Sequence, residues 1–115
     1  MGGEMIAGLG IDIVQIEEFR SLVNDKFIVK YFSEEEKSLR IEKLAGRFAA
    51  REALFKAMKD QGQFKFEDIN ITLNGKPHFV LKNSMAKTFA QHKIHLSISN
   101  LRDYSIAIVL IEKVI

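Results

Sequence analysis

Residues Gly46 to Lys56 read GRFAAREALFK. Their spacing predicts a mostly buried helix. Phe48, Ala49, Ala50, Ala53, Leu54, Phe55 and Ala57 take up most of its circumference. Arg47, Arg51, Glu52 and Lys56 make up its polar part, with Glu52 and Lys56 one turn apart on one face and Lys59 just beyond. A charge taken out of water is costly unless it is paired or bound. The stripe is therefore either a solvated face, where one Glu-to-Lys pair is worth about 0.3–0.5 kcal/mol, or part of a site.

On the N-terminal side, Ile6 to Val14 (IAGLGIDIV) reads as a strand. Strict alternation puts Ala7, Leu9, Ile11 and Ile13 on one face and Ile6, Gly8, Gly10 and Asp12 on the other. Two glycines beside a carboxylate make either an open floor for a ligand or a bed for a closely packed helix. Ile16 to Val23 and Phe27 to Phe32 read as short helices. Ser33 and Glu36 have capping-box spacing and predict a helix running through Leu39.

On the C-terminal side, Ile69 to Leu73 meets Asn74-Gly75, a tight-hairpin signal, and returns as Phe79 to Leu81 beside Pro77. Asn83 or Ser84 is the expected cap of a helix carrying Met85 and Phe89. Ile94, Leu96 and Ile98 alternate with His95, Ser97 and Ser99. Ile106 to Ile111 is an unbroken apolar run, as expected of a strand buried on both faces. The order β-α-α-α-β-β-α-β-β implies α+β, with helices packed on one side of an antiparallel-rich sheet.

A chain of 115 residues makes one domain, residues 1–115. No cysteine is present, which excludes disulfides, thiolate metal sites and thiol nucleophiles and fits a reducing, cytoplasmic setting. No apolar run approaches the roughly 20 residues of a membrane span, and no signal-peptide pattern opens the chain. Met1-Gly2-Gly3-Glu4 reads as an expression scar ahead of Met5. The net charge of +2 is too small to argue for nucleic acid, and no nucleic-acid partner is expected. A locally basic stretch from Arg47 to Lys59 suits a phosphorylated small molecule or an acidic protein.

The candidate chemistry starts from two carboxylates on separate elements, Asp12 and Glu52. A hard cation such as Mg²⁺ takes such a pair and leaves positions for water and substrate phosphate. Lys56, one turn from Glu52, is placed to contact that phosphate. Asn74-Gly75-Lys76-Pro77 is primarily a turn, with Lys76 at its tip free to reach a phosphate, and the hydroxyls of Ser97 and Ser99 either donate to phosphate or simply face water. No histidine stands at a spacing that would activate either serine.

These blocks together resemble the holo-acyl-carrier-protein synthases, the small bacterial 4′-phosphopantetheinyl transferases, over nearly the whole chain. The matching segments are GIDIV with Asp12, LAGRFAAREALFKA, LSISN followed by YSIAIVLIE, and more weakly NGKP. The second is the specific one, fitting F-x-x-[KR]-E-x-x-x-K at Phe48, Arg51, Glu52 and Lys56.

The resemblance implies the 4′-phosphopantetheinyl transferase fold and transfer of phosphopantetheine from coenzyme A to a serine of apo-acyl carrier protein, for fatty acid biosynthesis. It implies that Asp12 and Glu52 hold Mg²⁺ and that Lys56 stabilises charge on the departing 3′,5′-ADP. Arg47, Lys56, Gly75, Lys76, Pro77, Ser97, Ser99 and Asn100 would bind coenzyme A. The expected assembly is a homotrimer with active sites between subunits, and the carrier is expected on the first helix. Glu36 matches the glutamate of the family's L-[ST]-x-x-E segment, which makes it a candidate proton acceptor or water holder, with capping as the competing and favoured role.

Three departures stand out. Asn100 occupies the position of a common family histidine. Glu18 stands where the first helix often carries arginine, with Arg20 two residues later. Lys59-Asp60-Gln61-Gly62 replaces a glycine-rich turn. The first two motivate an alternative reading, a non-catalytic protein that still binds coenzyme A or a nucleotide.

Overall fold

The structure, a computed structural model, describes residues 3–114. Met1 and Gly2 of the expected scar lie outside the described residues. The elements are β1 (Glu4–Gln15), α1 (Ile16–Leu22), α2 (Asp25–Tyr31), α3 (Ile41–Met58), β2 (Ile69–Ile71), β3 (Phe79–Leu81), α4 (Asn83–Thr88), β4 (His92–Asn100) and β5 (Tyr104–Val114). The chain is α+β, and the element order is the expected one.

The helices pack over a three-stranded antiparallel sheet in the order β1-β5-β4. β2 and β3 are not part of it; they form a separate two-stranded ribbon. Cross-strand register fixes the two faces of the main sheet. Gly8–Ile111–Ile94, Gly10–Val109–Leu96, Asp12–Ala107–Ile98 and Val14–Ser105–Asn100 line the face under α3. Leu9–Leu110–His95, Ile11–Ile108–Ser97 and Ile13–Ile106–Ser99 line the other.

The two glycines resolve the first open reading. A Cβ on Gly8 would stand 1.9 Å from the Ala57 carbonyl oxygen, and one on Gly10 1.9 Å from that of Ala53. The glycines are a bed for α3, not a floor for a ligand. The alanines Ala49, Ala50, Ala53 and Ala57 form the matching flat side of the helix, fully buried with Val109 and Ile111. A second apolar cluster, Ile16, Phe19, Phe32, Leu44 and Ala45, holds α1 and α2 against the start of α3.

Several local expectations change. A bulge between Ile6 and Gly8 breaks the alternation, so Ile6 pairs with Glu112 and belongs to the Leu9 face. Gln61 donates from Nε2 to the displaced Ala7 carbonyl at 2.9 Å. Glu36 does reach back to the Ser33 backbone N–H, at 2.9 Å, but over one 3₁₀ turn, Glu34–Glu36, and Ser33 Oγ makes no capping bond; α3 begins afresh at Ile41. Gly46 therefore lies inside α3.

Asn74-Gly75 does not close a tight hairpin. β2 stops at Ile71, and a longer loop with Gly75 at φ +74° leads back to β3. Neither Asn83 nor Ser84 caps α4. Both donate to the buried carboxylate of Asp68, Asn83 Nδ2 to Oδ1 at 3.0 Å and Ser84 Oγ to Oδ2 at 3.2 Å. Finally, β5 is buried on one face only. Ala107, Val109 and Ile111 are inside, while Ile108 is 42% exposed.

Candidate active site

Asp12, Glu52 and Lys56 meet at the β1 edge of the sheet. Asp12 shares the α3-facing side of β1 with the glycines, so the close approach they permit brings its carboxylate up to the helix. Lys56 Nζ donates to Asp12 Oδ1 at 2.8 Å and to the Ile11 carbonyl at 3.1 Å. Glu52, one turn earlier, is half-buried. Burial pushes its carboxyl above the usual range, the negative charge of Asp12 pushes the same way, and the Lys56 ammonium opposes both. Two acids with one exposed ammonium between them form an under-neutralised pair, an arrangement a divalent cation fits. Among the described residues no third acid or histidine joins them, which suits Mg²⁺ because that ion keeps several water and phosphate ligands.

A cleft of about 220 Å³ opens beside Glu52, lined by Tyr31, Phe55, Phe64 and Phe66. Its aromatic wall is continuous: Phe55–Phe64, Phe64–Phe66 and Phe66–Tyr31 ring centres are 5.3, 4.8 and 4.6 Å apart. The sequence reading missed this wall. Its only signal was Phe64-Lys65-Phe66, two aromatics in a stretch with no regular period to explain them.

The opposite side of α3 does different work. Glu36, fully buried, accepts from Arg51 through Nη1 at 3.0 Å and Nη2 at 2.6 Å, from Arg47 Nη1 at 3.2 Å and from the Ser33 backbone N–H at 2.9 Å. Burial alone would push its carboxyl up. The hydrogen bonds and charge of Arg51, backed by Ser33 and Arg47, outweigh that and hold it below the usual carboxylate range. Between its two roles, the structure gives Glu36 the structural one: its oxygens face protein donors and it has no surface from which to take a substrate proton.

Arg47 is also buried, donating to the carbonyls of Ile71 at 3.0 Å and Thr72 at 2.8 Å. It stands at the base of the loop carrying Gly75, Lys76 and Pro77. The polar part of α3 is thus divided, with Glu52 and Lys56 on one flank and Arg47 and Arg51 on the other.

The remaining sequence-chosen residues lie across the sheet from Asp12. Lys76 and Pro77 line a cleft with His78, Ile94, His95 and Leu96 at the β4 edge. Ser97 and Ser99 point to the face away from α3. Asn100 ends β4, its Oδ1 accepting from Ser105 Oγ at 2.8 Å. One chain therefore carries two candidate half-sites: Asp12, Glu52 and Lys56 at the β1 edge, and Lys76, Ser97, Ser99 and Asn100 towards the β4 edge, where Asn100 lies on the α3 face and the two serines on the other.

Residues 8–109 match the family model described as the 4′-phosphopantetheinyl transferase superfamily. The chain belongs to this superfamily. It is 43% identical to a holo-[acyl-carrier-protein] synthase of Geobacillus sp. (strain WCH70), over 95% of this chain and 98% of that protein. Among solved structures, the holo-[acyl-carrier-protein] synthase of Neisseria meningitidis superposes with a TM-score of 0.83 at 30% identity, covering 95% of this chain and all of that one. The corresponding Bacillus anthracis enzyme, solved in complex with CoA (3′,5′-ADP), gives 0.76 at 33% identity over 95% and 98% of the two chains. Superfamily membership bears out the α+β reading and the family resemblance drawn from the motifs.

Proposed function

We propose that this chain is a holo-acyl-carrier-protein synthase, acting as one transferase domain in a cytoplasmic setting. It moves 4′-phosphopantetheine from coenzyme A to a serine hydroxyl of apo-acyl carrier protein and releases 3′,5′-ADP. The observation that carries this is the convergence of Asp12, Glu52 and Lys56 at the edge of a superfamily fold. That assembly supports the catalytic reading over the non-catalytic one, whose motive, Asn100 and Glu18, lies outside it.

The serine oxygen attacks the phosphorus bearing pantetheine, the bond to the bridging oxygen breaks, and the serine proton is lost to solvent or a nearby base. Such reactions depend on in-line positioning and on neutralising oxygen charge. Asp12 and Glu52 would hold Mg²⁺, which supplies charge neutralisation on the pyrophosphate when bound. Lys56, half-exposed, meets the charge that builds on the departing ADP. Gly75, Lys76, Pro77, Ser97, Ser99 and Asn100, with Arg47 supporting the loop, take the nucleotide end of coenzyme A.

The two half-sites lie at opposite sheet edges, so each is completed by a different copy. Contacts between unlike surfaces close into rings when the rotation fits, and the trimer implied by the family is such a ring. The face to be covered is on the outside of the sheet, where Leu9, Ile11 and Ile13 are 59%, 54% and 58% exposed. A contiguous apolar area of this kind marks an interaction surface.

The carrier, an acidic protein, docks on α1 and α2. Arg20 is already engaged by Glu17 at 3.4 Å and lies 4.0 Å from Glu42. Lys26 and Lys30, one turn apart on α2 beside the exposed Leu22 and Val29, are better placed for that contact. Incubation with coenzyme A, Mg²⁺ and apo-acyl carrier protein is expected to add one phosphopantetheine, read as a mass shift. No shift with several bacterial carriers refutes the reading.

A further inference from the structure

Ser105 is a polar residue on a side of β5 otherwise given to Ala107, Val109 and Ile111, and it has no exposed surface. A buried hydroxyl left without a partner costs about 1–3 kcal/mol. Its partner is Asn100, directly opposite on β4, whose Oδ1 lies 2.8 Å from Ser105 Oγ. This bond decides which way round the carboxamide sits. With Oδ1 turned in, the hydroxyl proton has an acceptor. With Nδ2 turned in, Ser105 Oγ would accept from it, but the buried hydroxyl proton would lose the one acceptor it has among the described residues.

The helix closes the remaining freedom. A Cβ on Gly46 of α3 would stand 3.0 Å from Asn100 Oδ1 and 2.9 Å from Ile98 Cγ2, so the bare glycine is what lets the amide oxygen lie against α3. The other end of the amide, with two N–H donors, is left at the exposed end of the strand. Among the described residues Nδ2 makes no hydrogen bond.

We propose that Ser105 is a positioning residue: it locks the Asn100 carboxamide with its NH₂ outward, as a neutral donor to a phosphate oxygen of coenzyme A. This rests on the transferase reading above. In this chain Ser105 and Gly46 together make an uncharged amide a fixed phosphate donor.

The test compares wild type with Ser105→Ala, Asn100→Ala, Asn100→Asp and the Ser105→Ala/Asn100→Ala pair, using coenzyme A and 3′-dephospho-coenzyme A at fixed carrier and Mg²⁺. Ser105→Ala and Asn100→Ala are each expected to raise KM by about three- to tenfold, the effect of one hydrogen bond, with kcat within about twofold. The double variant is expected to be no worse than Asn100→Ala alone, because both remove the same contact. Asn100→Asp keeps an acceptor for Ser105 but presents oxygen outward, and must lose at least as much as Asn100→Ala.

Loss confined to coenzyme A places the contact on the 3′-phosphate, and loss with both substrates places it on the pyrophosphate; either supports the proposal. Unchanged KM in Ser105→Ala, additive effects in the double variant, or a fall in kcat alone overturns it. Absence of any transfer by the wild-type protein would instead strike the transferase reading itself.

Discussion

The Lys56 ammonium lies 2.8 Å from Asp12 Oδ1 and 3.1 Å from the Ile11 carbonyl. A divalent cation held by Asp12 and Glu52 would compete with this ion pair and would free Lys56 for substrate phosphate. Lys56→Met is therefore expected to bind Mn²⁺ about two- to fivefold more tightly than wild type in the absence of coenzyme A, the worth of a partly exposed pair. Its turnover should fall by about 100-fold, as for removal of one charge-stabilising group. Calorimetric or paramagnetic titration with Mn²⁺ checks the first part, and weaker Mn²⁺ binding would refute the competition.

Glu52 has the opposite character, a carboxyl whose ionised form is penalised by burial and by Asp12. Because its folded value is raised, the unfolded chain gives up the proton first. Stability is then lost as pH rises through the ordinary carboxylate range and levels off above the raised value. Glu52→Gln is expected to melt above wild type at pH 7 without divalent cation, the gap closing towards pH 4. Added Mg²⁺ should raise the wild-type melting temperature and leave the variant's unchanged, while transfer by the variant is abolished. A variant that melts lower than wild type at pH 7 would be the contrary result.

Gly10, like Gly8, marks a very close approach of sheet and helix, with an added Cβ 1.9 Å from the Ala53 oxygen. The obstacle is backbone, which cannot rotate aside. Gly10→Ala is expected to displace α3 and with it the Asp12–Lys56 contact, costing about 3 kcal/mol or more, at the upper end for overpacked cores. Urea unfolding measures the cost. A substitution within about 0.5 kcal/mol of wild type would mean that the helix has room to move.

How far the sequence could be read is clear from individual residues. The helix around Glu52 was legible because its alanines and phenylalanines repeat at helical spacing, and the element order followed from turn residues and periods. Where a residue's partner is remote in sequence, local spacing could not choose. Gly8 and Gly10 fitted a ligand floor and a helix bed equally well until Ala53 and Ala57 were placed against them. Asn74-Gly75 promised a tight turn, but Arg47 anchors the Ile71 and Thr72 carbonyls and β2 ends there. The apolar run Ile106 to Ile111 suggested burial on both faces, but within one chain one face is open, because among the described residues nothing packs on the outer side of the sheet where Ile108 stands. Ser105 was overlooked although alternation alone puts it on the core face with Ala107 and Val109, where a hydroxyl requires a partner.

The buried Glu36 gives the fold an acid-sensitive joint. Its carboxyl is held below the usual range, chiefly by Arg51 working against burial. A lowered folded value means that the stabilisation is present above the unfolded value near 4.5 and is lost as pH falls through the lowered one. Glu36→Gln is expected to cost about 3–5 kcal/mol at pH 7, because it leaves Arg51 and Arg47 buried without their anion. Its stability should also vary less than wild type's between pH 5 and pH 3, by about the contribution of one titrating group. Thermal or urea unfolding across that range checks both parts. A variant as stable as wild type at pH 7 would show that water or a backbone carbonyl replaces the carboxylate.

The division of site residues between the β1 and β4 edges makes the sharpest demand. If each active site takes Asp12, Glu52 and Lys56 from one copy and Lys76 with Asn100 from another, two inactive variants must complement. Glu52→Gln damages only the first half-site, and Lys76→Glu, which sets a negative charge against phosphate, only the second. Mixed one to one and allowed to exchange subunits, they are expected to recover about a quarter of the sites, since each unlike interface in a ring needs one intact half from each neighbour. Placing an Ile11→Glu substitution on the outer sheet face of both variants should abolish the recovery by breaking the ring, with a fall in mass on sedimentation. Were all the residues to act within one chain, the mixture would never exceed the sum of its parts, because every chain carries one lesion.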